Sequence, residues 1–152
     1  MKYFSGTWTN KVDAKGRVSI PAPFRKVLAA EASPLLFLRP EIKGKPAIDG
    51  FGESHFDEFA ASLEQMNPHE DEYDALVDLM VSRTIQLPLD ETGRIVLPAG
   101  MREGAGIESE ALFVGRLRSF QIWRPGRYDA LKDERQATGQ ASLGALPWGR
   151  PN

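Results

Sequence analysis

Cysteine is absent from all 152 residues. That excludes a disulfide framework, a thiolate metal site and a cysteine nucleophile together. Histidine is scarce: only His55 and His69 occur, in "HFDEF" and "PHEDEYD". Neither stretch has the HExxH spacing that sets two imidazoles on one helix face, and no nucleophile–base pattern accompanies them. Both read as solvated helix faces, so no metal, cofactor, small-molecule substrate or enzymatic activity is expected. The phosphate-cradling patterns G-x-x-x-x-G-K-[ST] and G-x-G-x-x-G are also missing. No apolar run approaches the roughly 18 residues of a membrane span. The opening "MKYFSGTWTN" lacks the apolar core of a signal peptide. A cytoplasmic protein without a membrane partner is the expectation.

A large excess of either charge is lacking too. The net charge is −2, with 41% hydrophobic and 26% charged residues, the composition of a folded domain. The charges are nevertheless segregated. Residues 1–30 carry Lys2, Lys11, Lys15, Arg17, Arg25 and Lys26 against Asp13 alone, a balance of +5. Residues 49–80 hold ten acids and no Lys or Arg, and residues 83–127 return to +2. A binding face responds to local potential rather than to the sum over the chain.

What is present in excess is one motif. "VDAKGRVSIPAPFR" (Val12–Arg25) returns as "LDETGRIVLPAGMR" (Leu89–Arg102) after 77 residues. Asp, Gly, Arg, Pro, Ala and Arg recur in place, and most other matches exchange one apolar residue for another. Each copy begins with a β-prone run, "TWTNKV" or "RTIQLPL". A turn follows, "DAKGR" or "DETGR", in which Asp accepts turn amides and Gly permits positive φ. Short strands at Val18–Ile20 and Ile95–Leu97 stop at Pro21 and Pro98, which lack an amide donor and suit the first turn of a helix. Gly106 is placed to end the second of these helices in a left-handed cap.

Further strand pairs are expected at "PLLFLRP" with "KPAIDGF" and at "EALFVG" with "SFQIWRP". Phe56, Phe59, Ala60, Leu63 and Met66 have helical spacing, with Ser54 and Asp57 as a capping box. Another helix is expected to start at Asn67-Pro68, with Tyr73, Leu76, Val77 and Met80 as its stripe. A last one carries Tyr128 and Leu131 inward. Trp8, Phe120 and Trp123 are expected in the core, and the Gly/Pro-rich tail to be poorly ordered with Trp148 undocked. One copy is too small to bury a core, whereas two copies can cover each other's sheet edges. The fold class expected is therefore α+β, mainly β: a pseudo-twofold barrel decorated by short helices.

A tight turn at the end of a two-stranded ribbon projects its side chains beyond the sheet. Arg17 and Arg94 follow the turn glycines Gly16 and Gly93, and their planar donor forks suit phosphates or guanine edges. Lys15 adds a point charge. Arg17 is the leading DNA-contact candidate, Arg94 its pseudo-symmetric partner and Lys15 an accessory. Asp13 and Asp90, which repel phosphate, are assigned to structuring the turns with Gly16 and Gly93. Arg25 and Arg102, one helical turn further on, either reach phosphate or pair with the acidic block. So few cations per chain bind weakly and with steep salt dependence, so double-stranded DNA as ligand calls for several linked subunits.

The two stretches "DAKGRVSIP…FR" and "DETGRIVLP…R" resemble the paired Asp-x-x-x-Arg signatures of the MraZ family. "AGI…LFVGRLRSFQIWRPGRYDA" is similar to that family's second half, and the resemblance spans most of Phe4–Leu131. It implies two SpoVT/AbrB-type swapped-hairpin units in an intramolecular pseudo-dimer, placed at residues 7–54 and 84–127; the chain's own pattern adds an acidic helical connector 55–83, a closing helix 128–138 and a flexible tail 139–152, the tail having no counterpart in the family. The resemblance further implies a DNA-binding transcriptional regulator that represses its own division and cell-wall operon. A ring-shaped homo-oligomer on short direct DNA repeats and a nucleoid-associated location are implied with it. This chain departs from the family by lacking an early Arg before Gly6 and by carrying Thr92 where the first motif has Lys15. AbrB-type antitoxins and a DNA-independent assembly module are the alternatives within the same fold.

Overall fold

The computed structural model describes residues 3–148. The first motif contributes β1 (Thr7–Lys11), β2 (Arg17–Ser19), α1 (Ala22–Ala29), β3 (Leu35–Pro40) and β4 (Ala47–Phe51). Then come α2 (Glu53–Glu64) and α3 (Asp71–Val77), the latter running on as a π-helical turn over Asp78–Ser82. The second motif repeats the order with β5 (Ile85–Pro88), β6 (Arg94–Val96), α4 (Ala99–Ala105), β7 (Glu110–Gly115) and β8 (Phe120–Trp123). The chain closes with α5 (Pro125–Ala141) and a 3-10 turn, Leu143–Ala145. No helix among the described residues is long and apolar enough to cross a membrane.

Strands of one motif pair with strands of the other. The antiparallel sheet has the order β1-β7-β8-β4-β3-β5, and β2 pairs with β6 as a separate two-stranded ribbon. Exchanging the two motifs reverses the sheet order onto itself, so the duplication in sequence is a pseudo-twofold in space. The expected closed barrel is not formed. β1 and β5 remain the two edges of an open sheet. The physical reason lies in the ribbon. Its strands are three residues long, cut short by Pro21 and Pro98, and they spend their ladder on each other rather than joining β1 to β5.

Side-chain alternation makes the sheet the middle of three layers. One face presents Leu36, Leu38, Ile48, Phe113, Phe120 and Ile122 to the ribbon, α1 and α4, whose Val18, Ile20, Phe24, Leu28, Ile95 and Leu97 complete the main core. Each such side chain, fully buried, contributes about 1.5–3 kcal/mol. Phe4, Trp8, Phe24 and Phe120 pack at 5.0–5.3 Å between ring centroids, mostly edge-on. Trp8 is part-buried, and Phe120 and Trp123 are fully buried. The other sheet face receives α2 through Phe59 on Phe37 and Phe51, and the π-helical turn through Met80 and Val81. It also receives α5 through Tyr128 and Leu131 beside Trp123. The acidic helices thus lie across the sheet from the ribbon.

A buried ion pair sits under α2. Arg39 and Asp49 are 4% and 6% exposed. Arg39 Nε lies 3.5 Å from Asp49 Oδ2, and its guanidinium covers the rings of Phe51 and Phe59 at 4.9 and 4.7 Å. Burial raises the Asp49 carboxyl, against a hydrogen bond from Gln121 and the charge of Arg39.

Local expectations differ in four places. Gly52, not Ser54, precedes α2; Ser54 lies inside the helix, where its amide and hydroxyl both donate to Glu31. The helix expected from Asn67-Pro68 begins at Asp71, and its stripe of Tyr73, Leu76, Val77 and Met80 is half-buried. The closing helix, expected over 128–138, runs from Pro125 to Ala141 because Pro125 fits its first turn. The tail remains structured as far as the 3-10 turn, with Trp148 76% exposed. Residues 149–152 of the expected tail lie outside the described residues.

Candidate nucleic-acid interface

The two motif turns are built alike. Asp13 Oδ1 accepts the amides of Lys15 and Arg17, and its Oδ2 accepts Arg17 Nε at 2.7 Å. In the second turn Asp90 Oδ1 accepts the amides of Thr92 and Arg94 and the Thr92 hydroxyl, and Oδ2 accepts Arg94 Nε at 2.9 Å. Backbone bonds close both loops: Asp13 N to Arg17 O and Gly16 N to Asp13 O, matched by Asp90 N to Arg94 O and Gly93 N to Asp90 O, all at 3.0 Å. Gly16 and Gly93 have φ of 83° and 78°, where a side chain is strained. The amide and guanidinium of Arg17 hold the Asp13 carboxyl below its ordinary value. The amide of Arg94, with help from Thr92, holds Asp90 far below its own.

The turns are tied to each other through the ribbon. Its register sets Arg17 opposite Val96, Val18 opposite Ile95 and Ser19 opposite Arg94. Gly16 O accepts the Leu97 amide, and Gly93 O accepts the Ile20 amide, each at 2.9 Å. With period two, Val18 and Ile95 point into the core while Arg17, Ser19, Arg94 and Val96 share the outer face. The structure therefore brings the two arginines of distant motifs onto one exposed surface. Their side chains are 40% and 41% exposed. Among the described residues no protein group bonds the Nη nitrogens of either, so each guanidinium is oriented by Asp through Nε and keeps its far edge open. Lys15 is exposed at the tip of the first turn.

Grooves flank this face. One of about 700 Å³ is lined by Arg17, Arg94, Lys11, Ser19 and Ser109, with Glu110 among its lining. One of about 620 Å³ runs past Lys15, Val96 and Arg102, with Glu103 and Glu108. A smaller one of about 190 Å³ holds both arginines beside Pro88, Leu89 and Val96.

Among the described residues neither Arg25 nor Arg102 pairs with the acidic block. Arg25 donates from Nη1 to Thr92 O at 3.1 Å, and a Cβ at Gly93 would stand 2.3 Å from its Cδ. Arg102 lies against Gly16, 3.3 Å from where that Cβ would stand, while its donors hold the carbonyls of Ile107 and Glu108. The arginine that ends each motif thus covers the glycine turn of the other motif, away from the acidic block. Its recurrence at the same motif position was the available signal. Val96 was also missed; its place in the alternation marks it as outward-facing, and nothing more.

His55 is occupied otherwise: Nδ1 lies 3.3 Å from Glu58 Oε2, and its ring meets Phe51 and Phe59 edge-on. Among the described residues no group of three His, Asp or Glu is placed to hold a metal ion.

Comparison with known proteins points to one family. A family model for MraZ protein, described as antitoxin-like, matches residues 80–142. The chain is 38% identical over 136 residues to "Transcriptional regulator MraZ" of Parvibaculum lavamentivorans, covering 90% of this chain and 84% of that one. It is 38% identical over 147 residues to the protein of that name from Rhodospirillum rubrum, covering 95% and 94%. With that of Beijerinckia indica it shares 41% over 128 residues, covering 84% and 77%.

Proposed function

The chain belongs to the MraZ family of transcriptional regulators, and from that premise we propose that it regulates transcription by gripping double-stranded DNA with the outer face of its ribbon. The observation that carries the reading is the convergence of Arg17 and Arg94, each aimed by an aspartate and each with open Nη donors. Arg17 is the principal contact, Arg94 its pseudo-symmetric partner and Lys15 an accessory phosphate contact. A β-ribbon fits the major groove, and end-on guanidinium nitrogens match the O6 and N7 acceptors of guanine.

The face is not uniformly basic. Asp13 and Asp90 are spent on the turns, while Glu103, Glu108 and Glu110 line the grooves. Each subunit therefore neutralises only a few phosphates, and its affinity falls quickly with salt. Coupling several subunits converts later contacts into intramolecular ones. A ring-shaped homo-oligomer of AbrB-like pseudo-dimers on short direct repeats meets that need. In this reading the protein sits on the nucleoid and represses its own division and cell-wall operon.

The test is binding to the DNA upstream of its own gene and to unrelated DNA of equal length, at several salt concentrations, with a reporter driven by the upstream segment. Preference for the upstream DNA and lower reporter output support the reading. Equal weak binding to both, with unchanged output, contradicts it. The antitoxin-like description of the matching family model favours a second reading, in which the protein also holds a partner protein. A stable complex with a growth-inhibiting protein, lost without changing DNA affinity, would identify that role.

A further inference from the structure

Three of the four side chains on the ribbon's outer face are polar. The fourth, Val96, is 54% exposed. Its equivalent in the first motif is Ser19, so this position in the ribbon does not itself demand an apolar residue. A methyl of Val96, Cγ1, stands 3.8 Å from where a Cβ on Gly16 would lie, which sets it beside the tip of the first turn. It shares one groove with Lys15 and Arg102 and another with Arg17 and Arg94. The result is a β-branched apolar spot among the cationic side chains of Lys15, Arg102, Arg17 and Arg94, with Glu103, Glu108 and the turn-bound Asp90 also lining the two grooves. A ligand complementary to it is a polyanion with an apolar projection between its charges. The major groove of duplex DNA offers that combination in the C5-methyl of thymine, the one apolar group on the base edges there.

We propose that Val96 is a specificity-determining residue that packs on a thymine methyl group. Arg17, its cross-strand neighbour, takes the adjoining base or phosphate. Ser19 beside Arg94 has a hydroxyl in the equivalent place, so the two halves of the pseudo-dimer read different base edges. The proposal rests on the DNA-binding reading above and adds to it which base is read, and by what.

The probe is the DNA upstream of the protein's own gene, synthesised once with dTTP and once with dUTP, so that the two duplexes differ by the thymine methyls. Intact oligomeric protein and its Val96→Ser variant are titrated with each. Wild type is expected to bind the uracil duplex about fourfold more weakly for each methyl it covers, the worth of one buried methylene-sized group. V96S is expected to bind both duplexes equally, near the wild-type affinity for the uracil form. Equal binding of both duplexes by wild type overturns the proposal and leaves the DNA reading standing. A V96S protein that still discriminates between them overturns the assignment to Val96, since the effect then comes from DNA shape or another residue. A changed oligomer mass with discrimination retained overturns it in favour of a subunit contact. Failure of wild type to bind either duplex removes the underlying reading and the proposal with it.

Discussion

Arg25 on α1 donates from Nη1 to the carbonyl oxygen of Thr92, 67 positions further along the chain, at 3.1 Å. A helix of one motif thereby clamps the turn of the other. Replacing Arg25 by Ala is expected to speed hydrogen exchange at the amides of Thr92, Gly93 and Arg94 by about fivefold, from the loss of about 1 kcal/mol in one exposed hydrogen bond. The amides of Lys15, Gly16 and Arg17 should keep their rates. Equal acceleration at both turns, or none, would contradict the clamp.

Both turn glycines have positive φ, but their surroundings differ. A Cβ at Gly93 meets the Arg25 side chain at 2.3 Å, whereas at Gly16 the nearest atom is 3.3 Å away. Both Ala variants should lose stability, by about 1 kcal/mol for the backbone alone. Gly93→Ala should lose more, because Arg25 must leave its hydrogen bond. Urea unfolding of the two variants checks the order, and the reverse order would count against the contact.

The turns should also be acid-sensitive in a defined direction. Asp13 and Asp90 are held below the ordinary value of 3.8 by amide and side-chain donors, so each favours the folded turn when ionised. That contribution is fully present above about pH 4 and is lost as pH falls through the lowered folded values. Carboxyl NMR titration should give midpoints below 3.8 for both, with Asp90 the lower. A midpoint at or above 3.8 for either would show that its donors are not engaged.

Beneath α2, Arg39 is the counter-charge of a buried carboxylate. Arg39→Met should cost about 3 kcal/mol at neutral pH, since Asp49 is left buried and unpaired. Burial already raises the Asp49 carboxyl, so its neutral form favours the fold and this advantage fades as pH rises. The loss in R39M should therefore grow from about pH 4 to about pH 7, and the R39M/D49N double variant should recover part of it. Urea unfolding that showed no pH dependence would place Asp49 in water.

What could be read along the chain was local. The duplicated turns, the proline stops at Pro21 and Pro98 and the left-handed cap at Gly106 follow from chemistry within a few residues. What could not be read depended on distant partners. Ser54 looks like a helix cap until Glu31, 23 positions earlier, takes both its donors. Closure of a barrel depends on which strands pair, and the ribbon's preference for itself is not encoded in either copy alone. Arg17 and Arg94 are legible as DNA-contact candidates from their place after the turn glycines, but only the register of β2 on β6 puts them on one face.

The central claim is that this face grips DNA through those two arginines. Its most direct test compares wild type, Arg17→Ala and Arg94→Ala as intact oligomers on the upstream DNA across a salt series. Wild type should show a steep fall of affinity with salt. Each variant should bind more weakly and with a shallower slope, by about 0.9 for every phosphate that it no longer neutralises, and R17A should be weakened more than R94A. Both variants binding with wild-type affinity and slope would contradict the account.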